Sequence, residues 1–180
     1  MTYLFTSERL GFRRWQEADV EPMRAINADP AVMEYFPSLQ DQAETLAFIK
    51  RMQLQFDEKG FCYYAVDSLV DGAFIGFIGL SEKTFIADFT PCVDIGWRLA
   101  KNAWNQGFAT EGAQKCLEHA FHQLNLKKVY SMTPQPNRRS ENVMKKIGMR
   151  KAGLFKHPLL AGDHRLETCL LYEISNTEVG

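Results

Sequence analysis

The stretch CVDIGWRLAKNAWNQGFATEGAQKCLEHAFHQL, Cys92 to Leu124, changes hydrophobic period in its middle, and that change constrains the fold more than any other feature. Val93, Ile95, Trp97 and Leu99 alternate with Asp94, Gly96 and Arg98, the signature of a strand with one apolar and one polar face. Ala109, Ala113, Cys116, Leu117, Ala120 and Leu124 then recur at helical spacing. Between the two lies WNQGFATEG, a strand-to-helix turn around Gly107.

A helix N-terminus carries about four unpaired N–H groups and about half a positive charge, so it attracts anions that can come close. Gly107 has no Cβ to bar that approach, Ala109 nearly none, and Thr110 adds a hydroxyl. Asn105 is a residue type that tolerates the left-handed conformation of a tight turn. The plainer alternative is an ordinary helix start, with Gly107 as the N-cap and Glu111 complementing the dipole. Neither G-x-x-x-x-G-K-[ST] nor G-x-G-x-x-G is present, so this is not a P-loop or a dinucleotide fingerprint.

The rest of the chain reads as a strand at ERLGFRRW, half-buried by its alternation, then a helix at EADVEPMRAINAD stopped by Pro30. A second helix runs from Asp41 to Gly60. FCYYAV and AFIGFIGL form a hairpin about Asp71-Gly72. KKVYSM is a short strand, Arg138–Ile147 a helix ended by Gly148, and Met149–Phe155 and Arg165–Tyr172 two closing strands about Gly162-Asp163. With three strands in a row, the order predicts an α+β or mixed α/β fold with a central sheet rather than a bare Rossmann fold. At 180 residues and 46% apolar content the expectation is one domain, 1–180, with a substantial core.

A net charge of −1 offers no footprint for nucleic acid, and Arg138-Arg139 is only a short basic pair. No apolar run approaches a membrane span, and MTYLFTSERLGFRRW does not read as a signal peptide. Cys62, Cys92, Cys116 and Cys169 are scattered without a C-x-x-C pair, which suggests reduced, buried thiols and a cytoplasmic protein. His119 and His122 sit three apart without completing ligands, so they read as helix surface and no metal is expected. His157 and His164 read as surface residues.

The run VDIGWRLAKNAWNQGFATEGAQKCLEHAF strongly resembles the acetyl-coenzyme-A-binding motif of GNAT-fold N-acetyltransferases. The likeness is greatest to the branch that includes the ribosomal-protein N-terminal acetyltransferases. TSERLGFRRWQEAD, NRRSENVMKKIGMRKAG and GDHRLETCLLYEI resemble further family stretches in the same order. The resemblance implies a mixed, mostly antiparallel twisted sheet of about seven strands flanked by about four helices. It implies that acetyl-CoA is held along Trp97, Arg98 and Leu99 through the strand backbone. It implies further that the pyrophosphate lies on the amides of Asn105, Gln106, Gly107, Phe108, Ala109 and Thr110. Asn137, Asn142 and Lys145 are implied near the pantetheine or nucleotide, while packing is the stronger reading for the Trp97 and Trp104 side chains. The chain departs from the pattern at Trp104, where Arg or Gln is frequent, at Asn105, where Gly is, and at Gly112, which suggests a close backbone approach.

The implied reaction is acetyl transfer to a primary amine, either a protein N-terminus or a small molecule such as a polyamine or antibiotic. An alkylamine is mostly protonated in neutral water, so a base or a water chain must take its proton. Asp94, on the polar face of the cofactor strand, is the candidate base or amine anchor; the alternative is a strand carboxylate paired with Arg98. Ser140 matches the family's serine and is the candidate hydrogen-bond donor to the leaving sulfur, or else a helix cap. A backbone N–H of a splayed strand would serve the oxyanion. Glu34, Tyr35 and Phe36 lie where the family lines its acceptor side. The rival reading is an acyl-CoA-binding sensor or structural module without catalysis. No nucleic-acid or membrane partner is expected, and the chain is expected to be a monomer or homodimer.

Overall fold

In the computed structural model, which describes residues 2–176, one eight-stranded sheet carries four helices. In chain order the strands are β1 (Phe5–Thr6), β2 (Leu10–Arg13), β3 (Tyr63–Ser68), β4 (Phe74–Lys83), β5 (Cys92–Leu99), β6 (Lys128–Pro134), β7 (Arg150–Lys156) and β8 (Thr168–Ser175). The helices are α1 (Val20–Asn27), α2 (Gln42–Lys59), α3 (Phe108–His122) and α4 (Arg138–Lys146). The sheet order is β1-β2-β3-β4-β5-β6-β8-β7, and every neighbouring pair is antiparallel except β5–β6. The eighth strand, one more than expected, is the two-residue β1, too short to show a period in sequence. Among the described residues no helix is long and apolar enough to cross a membrane.

Local chemistry explains the boundaries. Asp41 caps α2 by accepting from the Glu44 amide at 2.8 Å while Glu44 returns a bond to the Asp41 amide. Gly60, at φ 77°, closes the same helix in the left-handed conformation that glycine adopts freely. The last strand begins at Thr168 rather than Arg165. The amides of Leu166 and Glu167 both fold back onto the Asp163 carbonyl, and that turn delays the strand.

The two faces of β4 show how the layers are built. Phe77 packs against Phe48 of α2, with ring centroids 5.1 Å apart and the rings tilted by 35°, whereas its neighbour Ile78 points to α3. There a Cβ on Gly112 would collide with Ile78 Cδ1 and crowd Leu10 Cδ1 at 3.1 Å. Gly112 therefore marks a close approach of side chains, not of backbone as expected. The β2 strand is not half-buried either, since all four of its residues are covered. Arg13 is 2% exposed because it binds Asp67 through Nε and Nη2 and Asp19 through Nη1 and Nη2, all at 2.6–2.8 Å. A charged residue on an alternating strand reads as solvent-facing, and only two carboxylates from distant segments make its burial tolerable. All four cysteines are free and buried.

Candidate active site

The β5–β6 pair is the irregular seam of the sheet. β4 and β5 are in register over eight residue pairs, but β5 meets its parallel neighbour only at Asp94↔Tyr130. Ser131 Oγ donates to the Ile95 carbonyl at 2.9 Å, just past that bridge. Backbone groups alternate in direction along a strand, so Trp97, two residues on from Ile95, also turns its N–H and C=O toward the gap. The Leu99 carbonyl faces the same way and accepts from Trp104 Nε1 at 2.9 Å. Arg98 turns its backbone to β4 and its side chain to the α2 side of the sheet. Trp97 is thus the residue of the three whose backbone stands open to a ligand.

The turn that follows is built for close approach. Asn105 has φ 60° and Gly107 φ 83°, both left-handed, and a Cβ on Gly107 would meet only Arg9 Nη2 at 3.4 Å. α2 and α4 are capped by the side chains of Asp41 and Asn137, whereas no side chain caps α1 or α3. The amides of Phe108, Ala109 and Thr110 in its first turn therefore lack intrahelical acceptors. Glu111 does not sit over the helix end. Its carboxylate accepts from Ser7 Oγ, the Arg9 amide and Arg9 Nε at 2.7–2.8 Å, which ties the β1–β2 turn to α3.

This turn opens onto a cavity of about 1040 Å³ that reaches from Asn105, Gly107 and Thr110, past Ser140, to Asp94 and Arg98. Asn105, Gly107, Phe108, Ala109, Thr110, Asn137 and Asn142 line it; Gln106 and Lys145 do not. Gln106 Nε2 bonds the Asn102 carbonyl at 2.7 Å, and Lys145 pairs with Glu141 at 3.1 Å. Asn137 organises the β6–α4 turn: its Oδ1 accepts from the Ser140 amide at 3.2 Å, and its Nδ2 donates to Thr133 Oγ1 and Ser140 Oγ. Asn137, not Ser140, is thus the cap of α4. Ser140 Oγ accepts from Asn137 Nδ2 at 3.1 Å and lines the cavity.

Asp94 is 4% exposed and does not pair with Arg98. Its Oδ2 accepts a short hydrogen bond from the Tyr63 hydroxyl, while Oδ1 has no hydrogen-bond partner. Burial raises the carboxyl to about 6, against the opposing pull of Lys83, the Tyr63 hydroxyl and the Met132 amide. Burial first, then the Asp94 charge, pushes Tyr63 well above its ordinary value, so its hydroxyl stays a donor. Sequence reasoning missed Tyr63. Its signal was Gly96, which leaves room for its ring: a Cβ there would sit 3.1 Å from the Tyr63 hydroxyl.

On the acceptor side Tyr35 and Phe36 line the cavity, and Phe36 lies under the Arg98 guanidinium at 4.1 Å. Glu34 is not among the lining residues; it forms an exposed ion pair with Arg139 at 2.5 Å. Arg139 in turn covers the Trp104 ring at 4.5 Å. His119 stacks on Phe5 at 4.4 Å, half-buried and lowered in pKa first by that burial.

Residues 9–150 match the acetyltransferase (GNAT) domain family. The uncharacterized N-acetyltransferase YnaD of Bacillus subtilis is 29% identical over 159 residues, covering 88% of this chain and 89% of that protein. A GNAT-family acetyltransferase structure from Bacillus anthracis superposes with a TM-score of 0.81 at 26% identity, covering 96% and 98% of the two chains. RimL, a ribosomal L7/L12 alpha-N-protein acetyltransferase solved with coenzyme A, shares the fold at a TM-score of 0.76 and 17% identity, covering 97% and 98%. The mixed sheet split at β5–β6, the uncapped helix and this sequence match agree: the chain belongs to the acetyltransferase (GNAT) domain family and is an acyltransferase.

Proposed function

We propose that this chain transfers the acetyl group of acetyl-CoA directly to a primary amine, with Asp94 as the base and Ser140 as the donor to the departing sulfur. The observation that carries this reading is the single cavity joining the uncapped N-terminus of α3 to a buried carboxylate raised to about 6. The donors fit the group: left-handed turn residues and free first-turn amides suit a pyrophosphate, and the open edge of Trp97 suits an amide-bearing arm. Acetyl-CoA, when bound, supplies an activated thioester carbonyl.

The chain's own residues then have defined tasks. A carboxyl near 6 is ionised at neutral pH, yet close enough to neutrality to hold a proton transiently, which suits general base work. Tyr63 orients that carboxylate through Oδ2 and leaves Oδ1 to face the amine or a relaying water. Ser140, steadied by Asn137, presents its O–H where a thiolate would form. Tyr35 and Phe36 wall the acceptor side. RimL acts on a protein N-terminus; a protein N-terminus and a small-molecule amine are both open for this chain. A thiol-release assay with acetyl-CoA over amines and N-terminal peptides tests the reading: acceptor-dependent release supports it, and tight acetyl-CoA binding without release from any acceptor overturns it.

A further inference from the structure

Among the described residues two arginines are buried, and they differ in one respect. Arg13 meets two carboxylates; its Nε–Nη2 edge holds both oxygens of Asp67 at 2.6 and 2.8 Å. Arg98, 8% exposed, meets none. Its Nη1 donates to Asn27 Oδ1 at 2.6 Å and Gln40 Oε1 at 3.1 Å, and both acceptors are neutral amides. Phe36 and Phe77 cover its faces at 4.1 and 5.5 Å. The Nε–Nη2 edge carries no hydrogen bond, and Nε is fully buried without a partner.

We propose that this free edge of Arg98 receives a carboxylate carried by the acceptor, so that the substrate is an amine bearing a carboxylate several bonds from its nucleophilic nitrogen. The proposal rests on the acetyltransferase reading above. Arg98 lines the same cavity as Asp94, on the same face of β5 and four residues further on. That spacing is about 13 Å between Cα atoms, less the reach of both side chains. A planar two-donor edge matches the two oxygens of a carboxylate, as Arg13 demonstrates on Asp67 in this same protein. An arginine placed only to tie Asn27 and Gln40 would have no use for its charge, which burial makes costly. Burial pulls the group down to about 10, with only Tyr63 opposing, so the guanidinium is still charged at neutral pH. Glu34, the acid expected on the acceptor side, is already committed to Arg139.

The test uses ω-amino acids of about three to about ten methylenes, spanning distances up to that spacing, each against its own carboxamide. With acetyl-CoA saturating, we expect one length range in which the carboxylate is preferred by about tenfold or more in kcat/KM, mostly through KM. Arg98→Gln should erase the preference, and Arg98→Lys should restore part of it. Equal turnover of acid and amide at every length overturns the proposal and leaves the acetyltransferase reading standing. A preference for matched phosphonates over carboxylates also overturns it. Calorimetric binding of the N-acetylated acids and amides decides the point without catalysis. If no amine is acetylated, the function fails, while acid-selective binding lost in Arg98→Gln still upholds the carboxylate site, and its absence removes it.

Discussion

The Tyr63 hydroxyl donates to Asp94 Oδ2 across an intervening strand, over the space that Gly96 leaves free. One residue of β3 thereby sets the orientation, and part of the basicity, of the carboxylate on β5. The pair is buried, and desolvation is what raises the Asp94 carboxyl to about 6 against the Tyr63 hydrogen bond.

Asp94→Asn should lower kcat/KM by about 10²–10⁴-fold, the range for loss of a general base, with little change in acetyl-CoA affinity. In the parent, kcat/KM should rise to a plateau as pH passes about 6. The same substitution should stabilise the fold at neutral pH. Asp94 has a folded-state pKa above its ordinary value, so the native state holds the proton more tightly than the unfolded chain does. Stability therefore falls as pH rises from about 4 to about 6, and the cost remains above that window. Thermal melts of both proteins at pH 4 and pH 8 check this; the variant should gain at pH 8 and not at pH 4.

Tyr63→Phe removes a bond that lowers the Asp94 carboxyl. The acid limb of the pH–rate profile should move upward, and kcat at neutral pH should fall with the ionised fraction. Rate profiles from pH 5 to 9 test the shift, and an unmoved limb would show that Tyr63 only fills space.

Gly107→Val and Gly112→Ala separate the cradle from the packing. Gly107 needs φ 83°, which costs a residue with a Cβ about 1–2 kcal/mol, and its amide neighbourhood lines the cavity. Its substitution should abolish measurable acetyl-CoA binding by calorimetry while the fold survives. Gly112→Ala should cost about 1–3 kcal/mol through overpacking against Ile78 and Leu10, and leave affinity unchanged.

Ser140→Ala should reduce turnover more than acetyl-CoA affinity, because its hydroxyl accepts from Asn137 and retains a proton to give. Asn137→Ala should be worse in both respects. It also uncaps α4, at about 1 kcal/mol, and releases Thr133. Steady-state kinetics beside a calorimetric titration distinguish the two variants.

Much of this molecule was legible in one dimension. The period change across Cys92–Leu124 marks β5, the turn and α3, and Asn105 and Gly107 take the left-handed angles that their residue types allow. Capping signals at Asp41 and Gly60 bound α2 as their chemistry demands. Asp94 became a candidate from its place on a polar strand face, and Ser140 only from its match to the serine of the family that the chain resembles. These features are local: a period, a cap or a glycine is decided within a few residues.

What tertiary structure alone decided is where charges end. Arg13 looks solvent-facing in its strand, and its burial follows from Asp19 and Asp67 arriving from elsewhere. Asp94 finds Tyr63 rather than Arg98, because neighbours four apart on a strand are too distant to pair, while strands brought together by the sheet are not. Glu34 turns to Arg139, and Arg98 keeps an edge with no counter-charge. Hydrophobic period is written along the chain, but electrostatic partnership depends on distance through space, and only the folded sheet sets those distances.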